Sequence, residues 1–386
     1  MSEFRTIREL CSVVVDCPHS TPKWTANGKI VIRNKNIKHG KIDFSSPSYT
    51  DDEHFAQRIK RAKPQPGDII ITREAPIGDV GMIPENTECC LGQRMVLLRA
   101  NQSVCDNFYL LYSLQSLYVQ HQISWSEGTG TTVSNLRIPH LEQIQIPYLP
   151  LEQQAKISSV LRALEEKIEN NRRLNDNLQQ QAAALFSSLY DRTNTEVRFT
   201  DLIQILGGGT PKTGENTYWN GNIAFFTPKD VGTPYTLITE KTITEEGLSH
   251  CNSRLYPVNT VFVTARGTVG KVGMSGVPMA MNQSCYALVG KETHQLLVYF
   301  YTLKAVDRLK HKASGAVFDA ITTRDFESEQ IMKLSDDDAK AFLCIAEPMF
   351  QKVLNNCIEN LRLSTLRDSL LPKLMSGEVD VSAAQL

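Results

Sequence analysis

Ile71-Thr-Arg-Glu-Ala-Pro-Ile-Gly-Asp-Val-Gly-Met-Ile83 and Val263-Thr-Ala-Arg-Gly-Thr-Val-Gly-Lys-Val-Gly-Met-Ser275 are one segment written twice. The echo runs on down the chain: Gln93 matches Gln283, Gly130 matches Gly315, and Lys167-Ile-Glu-Asn-Asn171 matches Lys352-Val-Leu-Asn-Asn356. The offset drifts from 192 (Ile71 to Val263) to 185 (Leu189 to Leu374). A repeat of about 190 residues is far too long for a solenoid. The chain therefore reads as a tandem duplication of one unit, a globular part followed by a long helix. Two copies imply an approximate two-fold relation, and a two-fold double helix is among the few targets that call for one.

The 386 residues leave room for two or three domains with real cores, and 41% hydrophobic with 22% charged residues is an ordinary globular composition. No run approaches the roughly 18 apolar residues of a membrane span. Met1-Ser-Glu-Phe-Arg5 lacks the apolar core of a signal peptide, so the expected location is cytoplasmic, with no membrane partner. Nine cysteines without framework spacing fit reduced thiols.

A net charge of −1 argues weakly against nucleic acid, but the distribution is uneven. Residues 23–41 hold Lys23, Lys29, Arg33, Lys35, Lys38 and Lys41 with no acid among them. Such a patch attracts a phosphate backbone. A second cluster, Arg58, Lys60, Arg61 and Lys63, reads either that way or as a solvated face.

Four parts follow. Residues 1–150 and 193–335 are strand-and-loop rich, with short runs such as Gly67-Asp-Ile-Ile-Ile-Thr72 and Asn259-Thr-Val-Phe-Val-Thr264 bounded by turn residues. Each also carries one run of helical spacing, at 108–122 and 294–312. Residues 151–192 and 336–386 are long helices. The first has apolar residues at Ile157, Leu161, Leu164, Ile168, Leu178, Ala182, Leu185 and Leu189, a heptad in which Asn171 and Asn175 replace the apolar residue. The second repeats it from Phe342 through Val353, Asn356, Asn360 and Leu370 to Leu374, with Pro348 expected to kink its start. Asn171 and Asn175 flank the midpoint at Arg173, and Asn356 and Asn360 flank the midpoint at Ile358. An antiparallel pairing then sets Asn171 against Asn360 and Asn175 against Asn356, and a slip would leave buried amides facing leucine. The fold class is α+β: two similar globular domains joined by two long helices that form an antiparallel coiled coil.

Catalytic constellations are missing. Gly207-Gly-Gly-Thr-Pro-Lys-Thr213 has the wrong spacing for a phosphate-binding loop, no histidine pair has metal-ligand spacing, and Ile146-Pro-Tyr-Leu-Pro150 is not the catalytic box of an amino-methyltransferase. Glu165-Glu-Lys167 lies on the first long helix and reads as a solvated face. The modules share something else. Each opens on Thr-Pro-Lys (Thr21-Pro22-Lys23, Thr210-Pro211-Lys212), then an aromatic (Trp24; Tyr218-Trp219), then a strand from Gly28 or Gly221. Basic and amide side chains at strand ends reach phosphates and base edges. The expected DNA-contacting set is Thr21, Lys23, Trp24, Arg33, Lys35, Arg73, Gln93 and Arg94 in one module. In the other it is Thr210, Lys212, Tyr218, Trp219, Lys229, Arg266 and Gln283. Core packing is the competing expectation for Trp24 and Trp219.

On these motifs, together with Gly128-Thr-Gly-Thr-Thr-Val-Ser-Asn-Leu136, Leu149-Pro-Leu-Glu-Gln-Gln-Ala-Lys-Ile157 and Leu370-Leu-Pro-Lys-Leu-Met-Ser-Gly377, the chain resembles the specificity subunits of type I restriction–modification systems over nearly its whole length. The second copy departs at its helix start, reading Leu334-Ser-Asp-Asp-Asp-Ala339. The resemblance implies two target recognition domains, each reading half of a split sequence in double-stranded DNA, with the helices as a ruler between them. It implies two modification subunits carrying S-adenosylmethionine and restriction subunits using ATP and Mg, while this chain binds no cofactor and catalyses nothing. The assembled complex would be a type I site-specific deoxyribonuclease and adenine DNA methyltransferase. Other expectations are a coiled-coil adaptor in another phage-defence methyltransferase complex and a stand-alone methyltransferase. The first leaves the repeated polar and aromatic loops unexplained, and the second lacks a cofactor loop.

Overall fold

The structure is a computed structural model that describes residues 3–38, 40–125, 135–312 and 320–379. The matched glycines Gly130 and Gly315, and the run from Gly128 to Ser134, lie outside these residues. The chain divides into two compact units, Met1–Glu166 with Leu363–Leu386, and Lys167–Arg362.

In the first unit Cys11–Asp16, Met95–Ala100, Ile69–Thr72 and Val80–Met82 form an antiparallel four-stranded sheet in that order. The second unit repeats the order with Ile203–Gly207, Cys285–Gly290, Val261–Thr264 and Val272–Ser275, and adds Tyr235–Thr236 at the edge. A further sheet in each unit contains one parallel pair, Lys29–Ile32 beside Cys89–Leu91 and Trp219–Phe226 beside Met279–Met281. Ile69, Ile70 and Ile71 are fully buried, as are Val261, Phe262 and Val263, which is why these short apolar runs are strands covered on both faces.

The duplication holds to single hydrogen bonds. Thr72 sits opposite Met95, and Thr264 opposite Cys285. The Thr72 hydroxyl accepts the N–H of Asp79 at 2.9 Å, and that of Thr264 accepts Lys271 at 2.9 Å. Where the strands end, Arg73 N–H reaches the Arg94 carbonyl and Ala265 N–H reaches that of Ser284. Gln93 and Gln283 precede these turns at the same place.

The helices depart from expectation at one point. The run 108–122 is two helices, Asn107–Gln115 and Leu117–Trp125, broken at Ser116, which is extended (ψ 146°). Its hydroxyl donates to the Ser113 carbonyl at 2.6 Å, the local bond by which serine competes with helix. Its counterpart Gln295–Lys312 is continuous. The second long helix, Asp336–Ser376, is continuous through Pro348.

The first long helix, Leu151–Tyr190, is locked at its start by Gln154. That buried amide donates to the carbonyls of Val104 and Leu149 and accepts the Asp106 N–H. In the second unit Leu178, Ala182, Phe186 and Leu189 share a core with Phe342, Ala346, Phe350 and Val353. In the first unit Ile157 and Leu161 share one with Leu374 and Met375. Asn171 meets Asn360 and Asn175 meets Asn356, so within the second unit the helices pack antiparallel.

Candidate nucleic-acid interface

In the first module the Thr21-Pro-Lys loop meets the turn that carries Gln93. The Gln93 amide donates to the carbonyl of His19 and to the Thr21 hydroxyl at 3.3 Å. In the second module the Thr210 hydroxyl donates to the Gln283 side chain. Both modules thus join the threonine of their opening loop to the glutamine of the strand-end turn.

Around this pair, Lys23 is exposed and lies 3.8 Å from Asp51. Trp24 stays 45% exposed, with the Arg33 guanidinium 5.0 Å over its ring. An exposed indole faced by a cation presents a stacking surface. Lys35 reaches the Ser46 hydroxyl at 3.3 Å. Arg94 is exposed and paired to Glu74 at 3.2 Å. The patch around residues 23–41 is partly neutralised by acids from other segments. Lys29 and Lys63 share Glu88, at 2.5 and 3.0 Å, and their bonds hold its carboxyl below the ordinary value.

Lys212, Lys229 and Arg266 of the second module are exposed, and Lys229 lies 3.5 Å from Glu240. Tyr218 is half-buried and stacks on His250 at 4.9 Å. Trp219 is also half-buried, its N–H donating to the Lys212 carbonyl at 3.1 Å and its ring edge-on to Phe225. Trp219 is thus packed against the fold, while Trp24 is exposed.

Two arginines are placed otherwise than expected. Arg73 is built into the fold, its side chain 11% exposed. It donates to both Asp16 carboxylate oxygens at 2.8 and 2.9 Å, to the Leu136 carbonyl and to Asn135. All three guanidinium nitrogens thus have partners within the fold. Arg58, from the cluster read as a phosphate patch or solvated face, is buried. Its partners are main-chain carbonyls of the two loops above. Neither partner set has a local sequence signal, since Asp16 and Ser20 lie 57 and 38 residues from Arg73 and Arg58.

On the helices, Asn171 donates to Asn360 at 2.9 Å, and Asn356 donates to Asn175 at 2.8 Å. Asn171 also reaches Glu359 at 2.8 Å, and that bond, with Lys167 nearby, holds the Glu359 carboxyl below its ordinary value. Asn175 donates to Cys357 at 3.5 Å. Asn356 is buried, and its side-chain oxygen has no hydrogen-bond partner. Among the described residues no cluster of His, Cys, Asp and Glu could hold a metal ion, and no helix is long and apolar enough to cross a membrane.

The geometry is that of a duplicated DNA-reading protein: two like modules, each with a polar loop pair at one sheet end, and a coiled coil. The sequence profile of the type I restriction modification DNA specificity domain matches it twice, over residues 3–180 and 192–333. The chain belongs to that family; it is a specificity subunit, the component that recognises DNA sequence. It is 23% identical over 342 residues to the type I restriction enzyme MjaIX specificity subunit of Methanocaldococcus jannaschii, covering 82% of this chain and 78% of that one. It is 28% identical over 186 residues to the HindI specificity subunit of Haemophilus influenzae, covering 47% and 40%. The fold matches the crystal structure of the type I restriction-modification S subunit from M. genitalium, with a TM-score of 0.62, 18% identity, and coverage of 97% and 96%.

Proposed function

We propose that each module reads one half of a split target in double-stranded DNA, through the loop pair that joins Thr21 to Gln93 and Thr210 to Gln283. The observation that carries this is the repetition of that pair, with lysines beside it, on two modules whose folds agree to single hydrogen bonds. Lys23, Arg33, Lys35, Arg94, Lys212, Lys229 and Arg266 supply phosphate contacts, Gln93 and Gln283 read base edges, and Trp24 stacks. This chain contributes recognition only. Two modification subunits bring S-adenosylmethionine and methyl transfer, and restriction subunits bring ATP, Mg and cleavage, in the cytoplasm. Changing Lys23→Ala and Lys212→Ala together should weaken DNA binding by the assembled complex alike on all sequences, and flatten its salt dependence by about one unit per lysine. Gln93→Ala should instead relax one half-site, by roughly 1–3 kcal/mol. Untouched binding in the double lysine variant would refute this placement.

The asparagine pairs fix the helix register, and with it the accepted spacing of the half-sites. Supporting this is their pairing amide to amide between the two helices. Spacing on DNA is also rotation, at roughly 10 base pairs per turn, so a slip would misface a module. Replacing Asn171, Asn175, Asn356 and Asn360 by leucine should raise the melting temperature and broaden the accepted spacer. A quadruple variant that keeps the parent's spacer preference would defeat the idea.

A further inference from the structure

Arg58 closes the seven-residue helix Asp52–Arg58, and its side chain enters the gap between the two candidate DNA-reading loops. Nε donates to the Leu91 carbonyl at 2.6 Å, and one terminal nitrogen donates to Ser20 at 2.8 Å. The other donates to Pro18 at 3.1 Å and Gly92 at 2.8 Å. Two of these carbonyls belong to the loop that leads into Thr21-Pro-Lys. The other two belong to the turn that leads into Gln93. Among the described residues Arg58 meets no carboxylate, so the charge is not there to complete an ion pair. What suits the place is the planar fork, whose rigid donors can hold several acceptors from two chains at once.

The second module does the same work without a guanidinium. Met281 is the counterpart of Leu91, and its carbonyl accepts the Gly209 N–H directly at 3.1 Å. The loop lies against the turn there. A Cβ on Gly208 would stand 2.2 Å from the Asn282 oxygen, and one on Gly209 would stand 2.6 Å from the Asn252 nitrogen. Ser20 takes the place of Gly209 in the first module, and there Arg58 bridges the loop and the turn.

We propose that Arg58 is a positioning residue for sequence recognition: it sets Thr21 and Lys23 at a fixed stand-off from Gln93. It does so without touching DNA. This rests on the loop pair being the DNA-reading element. The two modules would then support the same threonine–glutamine contact differently, one with a bridging guanidinium and one with a main-chain hydrogen bond.

The test uses the assembled complex with its methyltransferase subunits and a pool of DNA duplexes randomised across both half-sites. Arg58→Lys keeps the charge and loses the fork. Base discrimination in the first module's half-site should fall roughly tenfold, the scale of one lost base-reading pair. Discrimination in the other half-site and the salt dependence should stay at the parent values. Hydrogen exchange without DNA should quicken in residues 17–24 and 89–95 only. Parent-like discrimination in both halves, equal loss in both, or faster exchange throughout the first unit would each overturn the proposal. Lys23→Ala runs in parallel. If it binds DNA as the parent does, the fault lies in the choice of DNA-reading element and not in the clamp.

Discussion

Arg73 and Ala265 hold the same place in the two modules, and nearly everything about their surroundings differs except the backbone. Each N–H bonds the carbonyl across the glutamine turn, and each carbonyl accepts a later N–H, from Leu136 or Ile321. On this shared frame the first module builds an ion pair between Arg73 and Asp16. By strand register Gly207 stands where Asp16 does, since Val96 faces Asp16 and its counterpart Tyr286 faces Gly207. A Cβ on Gly207 would meet nothing within 4 Å. One neighbour differs in the same manner. Glu74, which neutralises Arg94, is replaced by Arg266, and Arg94 by Ser284. The duplication preserved the main-chain ladder and the threonine–glutamine pairs, while Arg73, Glu74 and Arg94 and their counterparts Ala265, Arg266 and Ser284 take unrelated solutions, even opposite charge.

The largest expected effect comes from breaking the ion pair. Arg73→Ala should cost about 2–4 kcal/mol, because a mostly buried carboxylate loses its guanidinium. Asp16→Gly with Arg73→Ala, the second module's own combination, should recover much of that loss. Urea unfolding of the two single variants and the double gives the coupling, and additive losses would mean the two modules are less alike than their backbones.

Next is the loop stand-off. Gly209→Ala should cost roughly 1–3 kcal/mol by overpacking against Asn252, while Ser20→Ala at the matched exposed place should stay within about 0.5 kcal/mol. Thermal melts of the two variants measure the contrast, and equal losses would erase it. Charge at the turn is subtler. Glu74→Ala should steepen the salt dependence of DNA binding by freeing Arg94, whereas Arg266→Ala should flatten it by about one unit. Slopes that move in the same direction would count against the reversal.

The smallest effect concerns the two asparagine pairs. Among the described residues, of the four asparagines only Asn171 has a carboxylate partner, Glu359, whose pKa is held below its ordinary 4.5. A depressed carboxylate adds stability that is present above pH 4.5 and lost as pH falls through the lowered value. Glu359→Gln should flatten the acid limb of the stability profile in that window. An unchanged limb would show that the carboxylate adds nothing to the seam.

Strands, long helices and the asparagine partners were legible because they follow from periodicity and from symmetry about Arg173 and Ile358. The loop pairs were legible as repeated motifs. The roles of Arg58 and Arg73 were not, since a basic residue in a charged stretch looks alike whether it faces solvent or carbonyls, and their partners lie far along the chain. The break at Ser116 was hidden because apolar residues continue at helical spacing on both sides of it.

The first unit is discontinuous, since Leu374 and Met375 lie in the same core as Ile157 and Leu161. The second unit is one unbroken stretch, Lys167–Arg362. On the ribosome the first unit's last core residues, Leu374 and Met375, follow Leu161 by some 200 residues, roughly 10–40 s at ordinary elongation rates. The unit that starts later in the sequence is thus complete before the one that starts earlier.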